Sequence, residues 1–208
     1  MYQPAAFQVD EIDLARALTR DYPLATLITL EGQSLEANHI PMHWREDSAG
    51  LGSLVAHVAR PNLAWRASGE VLVVFQGPTA YISPNWYASK QEHHRVVPTY
   101  NYAVVHIRGS ITVHDDPEWI RAQLTELTDR MEMLQQEPTP WRVSDAPREF
   151  VAGQINGIVG IEIAVTSWEG KWKVSQNRTF QDRSGVADAL GSENPAMARL
   201  VEPDRAQN

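Results

Sequence analysis

The sequence contains no cysteine, which removes a disulfide framework, a thiolate metal site and a cysteine nucleophile from consideration. It also lacks any apolar run approaching the ~18 residues needed to cross a membrane. Its first residues carry no positively charged stretch followed by an apolar one, as an export signal would. We therefore expect neither export nor membrane insertion, and we expect a cytoplasmic location.

Positive charge is scarce. The chain has 18 basic and 26 acidic residues, a formal net charge of −8, which opposes the multiple phosphate contacts of nucleic-acid binding. Residues 51–114 are the exception, with five basic residues against two acidic ones. This central stretch is best suited to receive a small anion, although a chance distribution of surface charge explains the imbalance equally well.

Motifs of the common hydrolases and metalloenzymes are missing. There is no His-Glu-x-x-His run, no Gly-x-Ser-x-Gly elbow and no glycine-rich phosphate loop. His93 and His94 are adjacent and diverge, whereas His39 and His43 share a strand face only loosely. The sequence therefore predicts no metal site and no catalytic residue of its own.

The chain has 208 residues, of which 43% are hydrophobic and 21% charged, a composition typical of one folded domain. We expect a single domain over residues 1–190, followed by a polar, frayed tail over residues 191–208.

Alternating apolar residues bounded by Gly, Pro and Asn predict several short strands, with mostly short connections. The predicted strands cover residues 24–30, 35–42, 52–58, 71–75, 100–113, 158–168 and 171–176. The last two are expected to form a hairpin. This pattern predicts a mainly β protein, built as a closed or split antiparallel barrel.

Two helices are predicted beside the strands. One follows Asp10 and reaches Arg20. The second is opened by Asp116, Pro117 and Glu118 in the order of a cap, a first-turn proline and a first-turn acid. Its apolar stripe is expected to pack on the barrel or on a partner subunit; the stripe comprises Ile120, Leu124, Leu127, Met131 and Leu134.

Four segments at predicted strand ends combine aromatic rings with amide and hydroxyl side chains. They are residues 57–62, 81–87, 97–102 and 171–178. Such a combination suits a flat, polar heterocycle with an anionic tail. The alternative is that these residues only close the ends of a small barrel and form its turns.

The order and content of these blocks resemble those of the PaiB family, the FMN-binding negative transcriptional regulators. The resemblance covers nearly the whole chain except the last thirty or so residues. The matching blocks include Ala37-Asn38-His39-Ile40-Pro41, His57-Val58-Ala59-Arg60, Tyr81-Ile82-Ser83-Pro84, Trp86-Tyr87 with Lys90, Val97-Pro98-Thr99, Asn101-Tyr102, Gly170-Lys171-Trp172-Lys173 and Ser175-Gln176-Asn177-Arg178.

The resemblance implies an FMN-binding split β-barrel with flanking helices, which forms a homodimer and holds one FMN per subunit at the dimer interface. It places Asn38 and His39 beside the flavin ring, and His57, Val58 and Asn62 at the ribityl phosphate, with Thr99, Asn101 and Tyr102 on the next wall. If the phosphate is held elsewhere, Lys90 or Arg178 is the next candidate. The implied cofactor contacts are Asn38, His39, His57, Val58, Asn62, Lys90, Thr99, Asn101, Tyr102, Gln176 and Asn177.

The family label implies a regulator, which would act by sensing or by contact with a partner. The residues themselves show no helix-turn-helix and no basic helix, so they do not favour direct DNA binding. A flavin-dependent oxidoreductase acting on a small molecule is the alternative. If the phosphate lies at residues 57–62, alanine at both His57 and Asn62 is expected to release the flavin.

Overall fold

The computed structural model of the protein describes residues 1–48 and 50–202. Over these residues the strands are β1 (Gln8–Val9), β2 (Leu24–Glu31), β3 (Ser34–Pro41), β4 (His43–Arg45), β5 (Ser53–Ala59), β6 (Glu70–Ile82), β7 (Thr99–His114) and β8 (Ile158–Lys173). They form one antiparallel sheet in the order β3-β2-β6-β7-β8-β5-β4, with β1 paired to β8. The prediction of a mainly β split barrel with flanking helices is confirmed.

The helices are α1 (Ile12–Asp21), α2 (Lys90–His93), α3 (Pro117–Gln135), α4 (Arg148–Asn156), α5 (Phe180–Leu190) and α6 (Pro195–Val201). Short 3-10 helices cover Ala5–Phe7, Leu63–Arg66, Pro84–Trp86 and Val143–Asp145. Within residues 1–48 and 50–202, no helix combines the length and apolarity that a membrane span requires.

The chain divides into two compact units, each built from separate stretches of sequence. Unit I contains residues 1–21, 76–105 and the described residues from 169 onward, and unit II contains residues 22–75 and 106–168. Strands β6, β7 and β8 contribute residues to both units. The predicted single domain over residues 1–190 stays a prediction.

The hairpin of β2 and β3 in unit II forms where the sequence predicts it. Its register runs from Leu24 opposite Pro41 to Glu31 opposite Ser34. Gly32 in the turn adopts φ +62°, a conformation that favours glycine. Alternate β2 residues, among them Ala25 and Leu27, are fully buried, as expected for a strand with one face in the core.

Helix α3 of unit II begins as predicted, because the Asp116 carboxylate accepts a hydrogen bond from the Glu118 amide at 3.2 Å and Pro117 occupies the first turn. Its apolar stripe is only partly covered. Ile120 is 1% exposed, whereas Leu134 at the far end is 52% exposed. The helix therefore contributes its first half, not its whole length, to the core of unit II.

Unit I has an apolar cluster of its own, formed by Ile82, Tyr87, Val174, Val186, Leu190, Met197 and Val201. The last two belong to α6, which lies inside the segment predicted as a frayed tail. Packing against the other apolar side chains orders this short helix despite its polar surroundings. Residues 203–208 of the predicted tail lie outside the described residues.

The predicted hairpin over residues 158–176 is wrong, because β8 is one strand that runs from Ile158 to Lys173. Gly170 suggested a turn, but it pairs with Val9 of β1, and Lys171 pairs with Gln8, so the backbone stays extended. The sequence also did not predict the short strand β4 or the helices α4, α5 and α6.

Candidate functional site

Two predicted contacts in unit II, Asn38 and Asn62, hydrogen bond to each other. The Asn62 amide nitrogen donates to the Asn38 side-chain oxygen at 2.9 Å, and the Asn62 oxygen accepts from the Ala64 amide at 3.0 Å. Asn62 thereby caps the 3-10 helix Leu63–Arg66. Both asparagines line an open cleft of about 450 Å³, whose charged lining residues are Glu31, Glu36 and Arg66.

His39 and Val58 occupy very different environments in unit II. His39 is exposed on β3, and its Nδ1 lies 3.1 Å from the hydroxyl of Thr26 on the paired strand. Val58 is only 4% exposed and belongs to the core, so a contact with a cofactor would have to come from its main chain. His39 is thus the more accessible of these two predicted contacts.

His57 on β5 is held by the long helix of unit II. Its Nδ1 lies 2.9 Å from the side-chain oxygen of Gln123 on α3. Gln123 is completely buried, and its amide nitrogen has no hydrogen-bond partner among the described residues. His57 therefore satisfies one polar atom of a buried amide, which is a structural task as well as a candidate binding one.

The one arginine in the predicted phosphate segment, Arg60, is already neutralised. Its guanidinium lies 2.6 Å from a carboxylate oxygen of Asp115 and donates to the main-chain oxygens of Asn156 and Ile158. Hydrogen bonding to Asp115 raises the pKa of Arg60, and hydrogen bonding to Arg60 lowers the pKa of Asp115. Residues 57–62 therefore present no uncompensated cation.

In unit I, Asn101 and the segment after β8 form an ordered polar corner. Asn101 is 1% exposed and donates from its amide nitrogen to the Ser175 hydroxyl at 2.9 Å, while its side-chain oxygen has no partner among the described residues. Ser175 adopts φ +64°, the left-handed region that is unfavourable for serine. Gln176 clamps the segment, accepting from the Val174 amide at 2.8 Å and donating to the Trp172 carbonyl.

Two lysines of β8 contact further predicted residues of unit I. Lys173 donates from Nζ to the Thr99 hydroxyl and, at 2.6 Å, to the Tyr100 carbonyl oxygen. Lys171 is 8% exposed, donates to the Tyr2 carbonyl at 2.9 Å, and lies 5.4 Å from the centre of the Tyr102 ring. Both lysines therefore have oxygen neighbours and Lys171 also lies near an aromatic ring, but neither has a carboxylate partner in the described residues.

Positive charge accumulates around Lys173. Burial, followed by repulsion from Lys171 and Arg178, lowers the pKa of the Lys173 ammonium below its usual value. Arg178 lies over the ring of Tyr87 at 4.8 Å. We call Lys171, Lys173 and Arg178 the basic cluster.

The remaining predicted residues of unit I are less organised. Lys90, in the short helix α2, donates to the Asn85 side chain at 2.6 Å. Asn177 is exposed beside Gln176, whose side chain is occupied by the main chain.

The two lysines of the basic cluster were not among the residues singled out as cofactor contacts. A signal was present, since Lys171 and Lys173 are two apart on a strand and so point to the same side. The prediction chose the amide side chains of Gln176 and Asn177 in the same segment instead.

The basic cluster fits a cofactor with a phosphate group. A phosphate needs cations and hydrogen-bond donors, and these three residues carry positive charges that no described carboxylate balances. Beside them, the Asn101 side-chain oxygen is a buried acceptor without a donor. Electron chemistry at such a site would be supplied by the cofactor.

Comparison with known proteins places these features in a family. A family model described as "Putative FMN-binding domain" matches residues 1–167. Among curated proteins, the chain is 30% identical to the Protease synthase and sporulation protein PAI 2 of Bacillus subtilis, with 97% of this chain and 95% of that protein aligned. It is 32% identical to the uncharacterized protein AN0679 of Emericella nidulans, over 89% and 88% of the two chains.

Solved structures share the fold at low sequence identity. The FAD and heme binding protein from Mycobacterium smegmatis superposes with a TM-score of 0.58 at 18% identity, covering 79% of this chain and 72% of that one. The flavocytochrome Anf3 from Azotobacter vinelandii gives a TM-score of 0.57 at 11% identity, covering 80% and 69%. These likenesses establish the architecture alone.

Proposed function

The chain belongs to the family described as "Putative FMN-binding domain", and from this premise we propose that it is an FMN protein of the cytoplasm with a regulatory role of the PaiB type. Membership confirms the resemblance predicted from the sequence, and with it FMN as the family's cofactor. The regulatory role is supported by the relative from Bacillus subtilis, whose name refers to protease synthesis and sporulation and which aligns over 97% of this chain.

The proposal assigns the cofactor contacts to two groups of residues, each of which is testable by itself. The unit II group is Asn38, His39, His57, Val58 and Asn62, and the unit I group is Lys90, Thr99, Asn101, Tyr102, Gln176 and Asn177. Amide, hydroxyl and imidazole groups read the polar edge of a flavin, and tyrosine rings contact its faces. When bound, FMN supplies one- and two-electron transfer, and the protein holds and orients it.

The observation that carries the proposal is the match over residues 1–167, which spans nine of the eleven proposed contacts. The direct test is the identity of the small molecule that copurifies with the protein. We expect a yellow protein with a flavin absorption spectrum, and denaturation should release FMN, identified by mass. A colourless protein that also fails to quench the fluorescence of added FMN would contradict the proposal.

We propose further that the protein is a homodimer with the flavin at the subunit interface, as in the wider group of flavin split barrels that the sequence resembles. The partly covered stripe of α3 supports this assembly, since Leu134 is 52% exposed in the single chain. Light scattering at micromolar concentration tests it. A monomer that retains flavin would contradict the shared site.

Regulation in this proposal proceeds through a small molecule or a protein partner, not through direct contact with an operator. The net charge is −8, and α3 opens with Asp116 and Glu118. Tight, sequence-specific retention of duplex DNA at physiological salt would contradict this part.

The same acidic balance favours a second candidate, a flavin-dependent oxidoreductase acting on a small molecule, because electron transfer requires no contact with nucleic acid. Steady-state oxidation of reduced nicotinamide by the flavin-loaded protein separates the two candidates. Turnover with an added electron acceptor supports the enzyme, and a flavin that stays oxidised supports the regulator.

A further inference from the structure

The basic cluster of unit I brings together three basic side chains that are at least partly buried and have no carboxylate partner among the residues that the structure describes. In unit II, Arg45, Arg60, Arg108 and Arg130 each lie 2.6–3.0 Å from a carboxylate oxygen. Lys171, Lys173 and Arg178 have no carboxylate within ion-pair distance among residues 1–48 and 50–202. Three positive charges thus remain uncompensated in a chain whose net charge is −8.

Keeping these charges together opposes folding. Lys171 is 8% exposed, and Lys173 experiences both burial and repulsion from its two neighbours, which lowers its pKa. Desolvated like charges destabilise a folded protein unless something neutralises them. A bound anion would remove this penalty, since it would supply the missing negative charge.

The cluster also has hydrogen-bond donors to spare. An ammonium group has three donors, and Lys173 uses two of them on Thr99 and Tyr100. Lys171 uses one on the Tyr2 carbonyl. The Arg178 guanidinium contributes five more, in a planar fork that matches the geometry of phosphate oxygens.

The surrounding backbone is held in place before any ligand arrives. Gln176 ties together the residues between the lysines and Arg178 through two main-chain hydrogen bonds, and Ser175 is fixed at φ +64° with its hydroxyl bonded to Asn101. Such a preorganised segment loses little conformational entropy when a ligand binds. Strained backbone beside unpaired cations is typical of a binding site.

We propose that Lys171, Lys173 and Arg178 form a binding site for the dianion of a phosphate monoester. This proposal rests on the proposed function, because the first source of that dianion is the phosphate of FMN itself. The second source is the phosphate of a separate ligand. The stretch from Lys171 to Arg178 lies beyond the residues matched by the family model, and of its three basic residues only Arg178 was a phosphate candidate from the sequence.

The test compares FMN with riboflavin, which lacks the phosphate, and with inorganic phosphate as a third probe. Each is titrated into the full-length protein, the wild type and the variants Lys173→Gln and Arg178→Gln, at constant ionic strength. Flavin fluorescence quenching reports the two flavins, and isothermal calorimetry reports phosphate. The matched control is Arg199→Gln, which removes one exposed positive charge of unit I whose Nε donates to the Pro195 carbonyl at 3.2 Å.

We expect the wild type and the control to bind FMN about 10–100 times more tightly than riboflavin, as one charge-assisted contact implies. Lys173→Gln should bind both flavins with the same affinity as wild-type riboflavin. This result assigns the cluster to the phosphate of FMN. The other supporting result is a wild type that binds both flavins equally well but binds inorganic phosphate, together with a Lys173→Gln variant that no longer binds phosphate. The site then stands, and its occupant is the phosphate of a separate ligand.

Two outcomes separate the failure of this site from the failure of the proposed function. If both variants keep the FMN preference and the phosphate affinity of the wild type, the site is overturned while FMN binding stands. If the wild type binds no flavin, the proposed function fails, and the phosphate titration alone tests the site. Absence of phosphate binding would then overturn the site as well. Thermal melting verifies that each variant is folded. If Lys173→Gln does not fold, the same comparison is made with Arg178→Gln.

Discussion

The carboxylate-paired arginines of unit II and the basic cluster of unit I use positive charge in different ways. Arg45 and Arg130 share the carboxylate of Glu126, and Arg60 faces Asp115, at distances of 2.6–3.0 Å. Lys173, in contrast, lies against a hydroxyl and a carbonyl oxygen. Arg45 and Arg60 thereby connect elements distant in sequence and so serve the fold, whereas the cations of the basic cluster remain available to a ligand.

The largest expected effect concerns the segment in which the phosphate was first predicted. Replacement of His57 and Asn62 together by alanine should lower the free energy of unfolding by about 2–3 kcal/mol, since it removes a helix cap and a hydrogen bond to buried Gln123. Urea unfolding measures the loss. If the phosphate lies at the basic cluster, the remaining folded protein should still prefer FMN to riboflavin.

The opposite result would be a double variant that no longer prefers FMN to riboflavin and a Lys173→Gln variant that still does. This result would show that the phosphate is bound at residues 57–62. The comparison of the two segments would then be reversed, and Arg60 would have to leave Asp115 or share its donors. Asn62→Ser, which keeps a capping oxygen, separates the loss of the cap from the loss of the amide.

A second prediction breaks a paired site directly. Glu126→Gln leaves Arg45 and Arg130 without a counter-charge and weakens the contact with His43, whose Nε2 lies 3.0 Å from Glu126. After allowance for solvent screening at this partly exposed carboxylate, we expect a loss of about 1–2 kcal/mol in the free energy of unfolding. The exposed Glu137→Gln serves as the control, and FMN affinity should be unchanged in both. A drop in FMN affinity would show that the paired region also serves the cofactor.

The third prediction follows from the pKa values at the same pair. Burial lowers the pKa of His43 below 6.5, against the opposing effect of Glu126. Burial would raise the pKa of Glu126, but His43 and Arg45 outweigh it and lower that pKa below 4.5. Each group therefore contributes stability to the folded state at pH values above the pKa that it has in the unfolded chain. This contribution is lost as the pH falls through the lowered pKa of the folded state.

We expect the free energy of unfolding to decrease from pH 6.5 downward, by at most about 1.4 kcal/mol per pH unit for each proton taken up. His43→Gln should flatten the slope between pH 6.5 and the lowered pKa of His43. Chemical unfolding at a series of pH values measures both slopes. An unchanged slope in the variant would mean that His43 titrates equally in the folded and unfolded states.

The smallest expected effect belongs to the unpaired side of the comparison. Lys173→Met should change the stability of the flavin-free protein by no more than about 0.5 kcal/mol, since relief of repulsion offsets the lost hydrogen bonds to Thr99 and Tyr100. Urea unfolding without flavin tests this. A loss as large as that from Glu126→Gln would place Lys173 among the structural cations.

Much of the architecture was predictable because its signals are local. The β2–β3 hairpin surrounds a glycine in its turn, and the cap of α3 is encoded by Asp116, Pro117 and Glu118. The continuous strand β8 was not predictable in the same way, because pairing of Gly170 with Val9 depends on residues 161 positions away in the chain. Helix α6 likewise required apolar partners that are remote in sequence.

The amino-acid sequence by itself determined the fold class, the family and the cofactor chemistry, since these follow from strand periodicity and from blocks of residues in a characteristic order. Only the tertiary structure decided which positive charges are available. Arg45 meets Glu126 across 81 positions and Arg60 meets Asp115 across 55, while no described carboxylate reaches Lys173. Ion pairs act over a few ångströms of space, irrespective of separation along the chain, so a charge count cannot distinguish a neutralised arginine from an unpaired lysine.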